Sequence, residues 1–348
     1  NTTADSNTAV GYVALASNTT GALNTALGSY ALYSNTTASN NTAVGHEAGY
    51  SSTTGTENTS IGQGALRTTT TGNYNSATGN GALRANTTGS SNVANGVAAL
   101  FANTTASENT AVGFQAGYNN TTGIQISAVG SYTLKANTTG NYNSAVGSVA
   151  LFSNTTGSNN VAMGYYALYA NTTASNNTAV GYQAGYANIT GAELTALGWK
   201  AGYANTTGYS NIAIGYGSLS GDGGSVTGGY NTGIGRYALQ SLTTGTQNLA
   251  IGGGALGANT TASNNIAVGH SALTANTTGE RSVAVGVAAL EDNTTGQYNT
   301  AIGFTALSAN TTASNNTAVG HQALDANTTG VQNSALGAGA LGAVTTGN

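Results

Sequence analysis

The sequence predicts an all-β protein built as a solenoid of about twenty stacked 17-residue coils. Three observations lead to this prediction. The 348 residues repeat with a period of 17, every repeat has Gly at its fifth position, and the sequence is rich in Asn, Thr and Gly but contains no proline. A unit of this length is too short for a pair of helices or a propeller blade, and its Gly and Thr content disfavours helix. Each unit is therefore predicted to form one β coil that hydrogen bonds to the next.

The repeat begins at Asn7 with NTAVGYVALASNTTGAL and recurs from Asn24 and Asn41. We number its positions 1 to 17 from that Asn. The spacing holds throughout except in one 20-residue unit at 211–230, which contains GDGGSVTGG. The predicted domain organisation is a single continuous array over residues 1–348. Neither end of the sequence closes a repeat or resembles a polar cap, so we expect a fragment of a longer fibre.

Each unit is expected to open with a short strand at positions 2 to 4, which the Gly at position 5 then bends. A second short strand is expected to hold Ala at position 8 and Leu at position 9. NTTG or NTTAS then closes the coil, and Asn at positions 1 and 12 is expected to stack into ladders. The glycines assigned this structural role at position 5 include Gly11, Gly28, Gly45, Gly62, Gly79, Gly113, Gly181, Gly215 and Gly337.

Position 9 departs from Leu in four units, where Gly is followed directly by Tyr. The four pairs are Gly49–Tyr50, Gly117–Tyr118, Gly185–Tyr186 and Gly202–Tyr203. Because the two changes occur together, we expect each tyrosine ring to turn into the volume that Leu vacates.

The apolar core of such a coil is small compared with the conformational entropy lost on ordering 17 residues. We therefore expect the Ala residues at positions 3 and 8 to form a face that packs against sister chains, most simply in a homotrimer. A single-chain solenoid with a small core is the alternative.

The Asn-Thr/Ser-Ala-Val/Ile-Gly columns, as in NTAVG at Asn177, NIAIG at Asn211 and NTAIG at Asn299, resemble the head repeats of trimeric autotransporter adhesins. They are also similar to repeats of bacteriophage tail fibres. The resemblance covers essentially the whole chain and implies a left-handed β-roll in which three chains associate. The 17-residue unit is longer than the usual head repeat of that family because of its added NTT turn.

Composition excludes several functions. A net charge of −4 with only six Lys and Arg argues against nucleic-acid binding, and the absence of Cys excludes zinc fingers and thiol chemistry. The sequence contains no run of 18 apolar residues, so no membrane span is predicted within this segment. The carboxylates are scattered and no nucleophile recurs beside a base, so we predict no enzyme activity, no catalytic residue and no cofactor.

Metal binding is also not expected. His46, His270 and His321 all stand at position 6 but on coils 3, 16 and 19, so even the nearest two lie about 14 Å apart along the stack. Asp222, among the glycines of the long unit, is a single carboxylate where calcium takes six to eight oxygens. A tolerated loop insertion explains it better.

Position 6 is also rich in aromatic residues, and because the same column accepts Ser, Gln, Arg and Gly we expect it to be exposed. Exposed rings could contact a glycan or receptor; the alternative is that they shield bends or pack between sister chains. These candidates are Tyr12, Phe114, Tyr165, Tyr182, Trp199, Tyr216 and Phe304.

Two further surface functions follow from the NTT turn. Asn-x-Thr at position 12 matches the N-glycosylation pattern, as at Asn18, Asn35, Asn86 and Asn137, although an internal Asn ladder explains the same column. Columns of Thr at positions 13 and 14 could match an ice lattice, but each coil should turn only one of the two outward.

The sequence therefore predicts a structural and adhesive segment of an extracellular fibre, at a cell surface or on a virion. The expected partners are sister chains of a homotrimer and a host-surface glycan or receptor. The alternatives are a single-chain ice-binding solenoid and a glycosylated extracellular filament subunit.

Overall fold

The structure, a computed structural model, describes residues 3–347 and confirms the all-β solenoid. The coils fall into two compact units, Asn1–Ser175 and Asn176–Asn348. Each coil contributes one three-residue strand at positions 2 to 4.

The strands of the first unit are β1 (Thr8–Val10), β2 (Thr25–Leu27), β3 (Thr42–Val44), β4 (Thr59–Ile61), β5 (Ser76–Thr78), β6 (Val93–Asn95), β7 (Thr110–Val112), β8 (Ser127–Val129), β9 (Ser144–Val146) and β10 (Val161–Met163). Those of the second unit are β11 (Thr178–Val180), β12 (Thr195–Leu197), β13 (Ile212–Ile214), β14 (Thr232–Ile234), β15 (Leu249–Ile251), β16 (Ile266–Val268), β17 (Val283–Val285), β18 (Thr300–Ile302), β19 (Thr317–Val319) and β20 (Ser334–Leu336).

Within each unit, consecutive strands pair in parallel and in strict register. Ala9 lies opposite Ala26, for example, and Ala267 opposite Ala284. The register places equivalent side chains directly over one another, which is the arrangement that the 17-residue period predicts.

The glycines at position 5 have backbone angles that other residues rarely adopt. Gly113 has a φ of +136°, in the region that favours glycine, and a Cβ on it would lie 2.5 Å from the carbonyl oxygen of Gly130 in the next coil. All nine glycines predicted for this role have φ between +123° and +137°. Only at Gly337, in the last coil, does nothing lie against the missing Cβ, so there the backbone angle alone favours glycine.

The expected second strand at positions 8 and 9 does not form, and the prediction is wrong on this point. Positions 7 and 9 instead have left-handed backbone angles even where they are not glycine, as at Tyr132 (φ 58°) and Leu134 (φ 51°). This alternation curves the chain while its peptide groups still point along the stack. The N–H of Leu134 therefore donates to the carbonyl of Ala150 in the next coil, and the N–H of Tyr132 donates to the carbonyl of Phe114 in the previous coil.

The interior of the coil is formed by the Asn at positions 1 and 12, the Ala at positions 3 and 8, and the Leu at position 9. Ala145, Ala150 and Leu151 are fully buried within the single chain. The expected alanine face is therefore not available to sister chains. The aliphatic side chains at position 4 instead point outward, and Val146 is 41% exposed. Since residues two apart in a strand share a face, the mostly polar position 2 was the signal that position 4 faces outward.

The tyrosines that follow Gly at position 9 do not turn inward. Tyr118 stacks on Phe101 of the preceding coil, with ring centroids 5.1 Å apart, and remains half-exposed. The space beside Gly117 is filled by Leu100 from the preceding coil and by Ile126, which replaces Asn at position 1 of the following coil. At Gly117 the vacated volume is therefore taken by apolar core residues, whereas at Gly49 it is taken by Leu32 and the polar Ser60. The tyrosines belong to the surface.

Glycosylation at position 12 is contradicted by the folded structure. Asn18, Asn35, Asn86 and Asn137 are at most 2% exposed. Asn137 Nδ2 donates to Asn120 Oδ1 at 2.8 Å and to the Gly140 carbonyl at 3.0 Å, so its amide is used inside the coil. The Asn ladder accounts for the column, and the Thr of the pattern is part of the turn.

Candidate contact surface

The seven aromatic candidates at position 6 are all exposed, as predicted. Their exposed fractions range from 38% for Trp199 to 70% for Tyr12. Position 6 follows the bend that Gly makes at position 5, so its side chain is carried out of the sheet and away from the core. The column therefore presents rings to solvent on both compact units.

These rings belong to a broader surface, which we call the aromatic face, made by the outward side chains at positions 6, 7 and 10. All but five of the chain's Phe, Tyr and Trp residues occupy these three positions. Ring contacts connect the columns: Tyr30 at position 7 meets Tyr12 with centroids 5.6 Å apart and Tyr33 with centroids 5.7 Å apart. Such contacts hold neighbouring rings in fixed orientations.

All six Lys and Arg residues place their charged groups over aromatic rings, and five of them lie on the aromatic face. The cation-to-centroid distances range from 4.6 Å for Lys200 over Trp199 to 5.8 Å for Arg236 over Tyr216. The residues are Arg67, Arg84, Lys135, Lys200 and Arg236 on the aromatic face, and Arg281 elsewhere over Tyr298. In a chain with so little charge, every Lys and Arg thus accompanies a ring that is at least partly exposed.

Among residues 3–347 there is one ion pair, and Arg67 forms it with Glu47. Arg67 Nε donates to Glu47 Oε2 at 2.7 Å. This hydrogen bond holds the pKa of the Glu47 carboxyl below its usual value, with the positive charge of Arg67 acting in the same direction. The pair connects coils 3 and 4 on the aromatic face.

One depression of the aromatic face lies at the long unit 211–230. A pocket of about 180 Å³ is lined by Trp199, Lys200, Tyr216, Gly217, Ser220, Asp222, Tyr237 and Gln240. The three extra residues of this unit lie between its positions 10 and 13 and carry Asp222 to the pocket. Desolvation and a hydrogen bond with Tyr237 raise the pKa of the Tyr216 phenol.

Asp222 is held in place by two hydrogen bonds. Ser220 Oγ donates to Asp222 Oδ1 at 2.8 Å, and Gln240 Nε2 donates to Asp222 Oδ2. Trp199 and Tyr216 stack with centroids 4.4 Å apart, and Tyr237 meets Tyr216 edge-on. The pocket therefore has one aromatic wall and one polar wall, and contacts within the protein orient both.

A second surface, the aliphatic ribbon, consists of the outward side chains at position 4. Eighteen of the twenty units have Val, Ile, Leu or Met there, and the exceptions are Thr78 and Asn95. The exposed members include Val10, Leu27, Ile61, Val112, Val129, Val146, Met163, Val180, Ile251, Ile302 and Leu336. Extended apolar surfaces of this kind are uncommon on monomers and mark contact sites.

The threonine columns differ in what their hydroxyls do. At position 13 the hydroxyl donates to the carbonyl of the same position in the next coil, as from Thr138 Oγ1 to Thr155 at 3.0 Å. Thr139 at position 14 is exposed. The expectation that only one of the two faces fully outward is confirmed at this coil.

Sequence reasoning identified the exposed rings but missed three features: the role of positions 7 and 10, the outward ribbon, and the pocket. Five of the six cations have a ring partner a whole coil away in sequence, so those pairings were visible only in space. Lys200 instead lies over its sequence neighbours Trp199 and Tyr203. His46, His270 and His321 are exposed, and no group of three potential metal ligands occurs among residues 3–347. Within that range no helix has the length and hydrophobicity needed to cross a bilayer.

No family model matches the chain, and no curated protein matches its sequence. The structure defines it as a β-solenoid repeat protein.

Proposed function

We propose that this chain is a structural and adhesive segment of an extracellular fibre, at a cell surface or on a virion. The observation that carries the proposal is the division of one repeated coil into two exposed surfaces, an aliphatic ribbon and an aromatic face. The ribbon serves self-association, and the aromatic face serves contact with other surfaces. The proposal assigns the chain no catalytic activity.

The aliphatic ribbon supports association with sister chains. Coils stack at about 4.8 Å, so a ribbon about 10 Å wide offers roughly 500 Å² over the ten coils of one compact unit. The ribbon of one compact unit therefore has more than half the area of a standard interface, which buries about 800 Å² on each partner. We propose a homotrimer, in agreement with the adhesin resemblance and its left-handed roll, but with the ribbon at the contact in place of the alanine face.

The aromatic face supports an adhesive role through repetition. Rings and cations recur from coil to coil on a rigid support, so weak contacts of one kind would act together on a surface that carries many copies of a ligand. Glycans and receptors at a host surface present such repeated groups.

The oligomeric state tests this proposal. We expect native mass spectrometry of the full chain to give three times the 34.0 kDa of one protomer. The double variant Val129→Glu/Val146→Glu places charges on the ribbon and should lower the mass while the circular dichroism spectrum stays unchanged. The matched control, Val97→Glu/Val287→Glu, places the same charges at exposed positions 6 and should remain trimeric. A wild-type mass of one chain would overturn the proposed assembly.

A second candidate function is ice binding by a single chain. It is favoured by the column of threonines at position 14, such as Thr139 and Thr156, which repeats at about 4.8 Å. Thermal hysteresis of the wild-type chain that is lost in Thr139→Lys/Thr156→Lys, together with a monomeric mass, would favour this function over the fibre.

A further inference from the structure

We propose that the pocket between Trp199 and Asp222 binds a single pyranose unit of a glycan. This inference rests on the proposed adhesive function and names the ligand for one place on the aromatic face. The chemical argument is the combination of an aromatic wall with a fixed carboxylate, because a pyranose has an apolar C–H face and a rim of hydroxyl groups.

The aromatic wall supplies the apolar contact. Trp199 and Tyr216 are 38% and 43% exposed. Trp199 stacks between Tyr182 and Tyr216, and Tyr237 meets Tyr216 edge-on, so the wall offers a sugar mainly the exposed edges of its rings. Gly217 lines the pocket, and a Cβ there would lie 2.8 Å from the Tyr237 ring. Because Gly217, at position 7 of its unit, has no Cβ, the Tyr237 ring can lie against it and line the pocket.

The polar wall supplies the hydroxyl recognition. Each oxygen of the Asp222 carboxylate accepts one hydrogen bond from the protein, from Ser220 or from Gln240, and retains further acceptor capacity. Two neighbouring hydroxyls of a sugar could donate to those remaining sites. Lys200, held over the Trp199 ring at 4.6 Å, adds a donor at the same pocket.

The size of the pocket agrees with one sugar ring. Its volume of about 180 Å³ is well below the roughly 300–1,000 Å³ of pockets that enclose drug-sized ligands. The site also occurs at the one long unit of the array, since the insertion brings the carboxylate. The remaining position-6 rings lack this inserted carboxylate and serve as internal comparisons.

The binding can be measured directly because Trp199 is the single tryptophan of the chain. The full chain would be titrated with the methyl pyranosides of glucose, galactose and mannose while tryptophan emission is recorded. We expect a saturable change with at least one of them, with a Kd near 1 mM or above, as for weak single-site ligands. Sorbitol, which has hydroxyls but no ring, should give no saturable change.

Asp222→Asn keeps the shape of the side chain and should weaken binding by about tenfold, the change expected when hydrogen bonds to a charged acceptor weaken. The matched control is Glu193→Gln, an exposed carboxylate in the same compact unit that accepts from Ser210 away from the pocket. It should bind like the wild type. Both variants should have the circular dichroism spectrum of the parent.

Three results would overturn the inference: no saturable change with any of the pyranosides at about 50 mM, equal binding by Asp222→Asn, or the same response to calcium chloride alone, which would indicate a cation site. None of these depends on the oligomeric mass. A trimer without sugar binding would leave the fibre proposal intact, and sugar binding by a monomer would overturn only the assembly.

Discussion

At the scale of single residues, two columns of buried asparagine define the shape of each coil. Asn24 Nδ2 and Asn35 Nδ2 both donate to the carbonyl of Ala38, which closes the turn of their own coil. Asn24 Oδ1 accepts the backbone N–H of Asn41, and Asn35 also donates to Asn18 Oδ1. Each side chain thus bonds within its coil and to an adjacent coil.

The column at position 12 is interrupted where another residue replaces Asn. Ser52 follows Asn35, and Val344 follows Asn327, and in both places the asparagine Oδ1 has no hydrogen-bond partner. The Ser52 hydroxyl is also buried and unpaired, beside a cavity of about 10 Å³ that it shares with Gly49 and Ser60. Each unpaired buried polar atom destabilises the fold.

Ser52→Asn is therefore expected to raise the free energy of unfolding by about 1–2 kcal/mol. The new amide would donate to Asn35 Oδ1, remove the unpaired hydroxyl and use the space beside Gly49. Urea or thermal unfolding of the variant and the parent measures the difference. Ser51→Asn, one position earlier and outside the ladder, is the control and should change stability little. An unchanged or lower stability of Ser52→Asn would contradict the ladder as the reason.

At the scale of the coil, left-handed backbone angles take the place of the second strand. Left-handed angles are unfavourable for residues other than glycine, by about 1–2 kcal/mol each, and most so for β-branched residues. The structure compensates by continuing hydrogen bonds between coils through the bend. Thr305 is the clearest case, because it has φ of 52° and its buried Oγ1 has no hydrogen-bond partner.

Thr305→Gly is expected to stabilise the protein by about 1 kcal/mol, since it relieves the backbone strain and removes the unpaired hydroxyl at some cost in chain entropy. Thr300→Gly provides the matched comparison: the same exchange within strand β18 should destabilise by about 1 kcal/mol. We expect thermal unfolding to show a higher stability than the parent for Thr305→Gly and a lower stability for Thr300→Gly. Destabilisation by both variants would show that the left-handed angle at position 7 carries no strain.

At the scale of the whole molecule, charge contributes little to stability. The chain has few ionisable groups, and the Glu47–Arg67 pair, with side chains 26% and 33% exposed, is open enough to solvent to be worth less than about 1 kcal/mol. Because the pKa of Glu47 is lowered by folding, its contribution is complete above the ordinary glutamate pKa. It is lost as the pH falls through the folded-state value.

The lowered pKa of Glu47 predicts how stability depends on pH. Wild type should exceed Glu47→Gln in unfolding free energy by less than about 1 kcal/mol at pH 7, and the difference should vanish near pH 2, where both side chains are neutral. Denaturant unfolding at the two pH values measures it. Glu57→Gln, at an exposed position of the same coil, is the control. A difference that persists at low pH would mean that Glu47 stabilises the fold through packing and not through its charge.

The sequence by itself determined the period, the register, the strand at positions 2 to 4, the glycine column and the exposure of position 6. These are properties of one repeat copied many times, because stacking identical units forces equal residues into line. The tertiary structure decided which side of the short strand faces inward, how the bend is made, and which rings meet which cations. Those outcomes depend on backbone angles within the coil and on partners 14 to 20 residues away, and a linear pattern of residue types does not specify either. The alanines therefore became core, the aliphatic column became surface, and the inserted loop with Asp222 became part of a pocket.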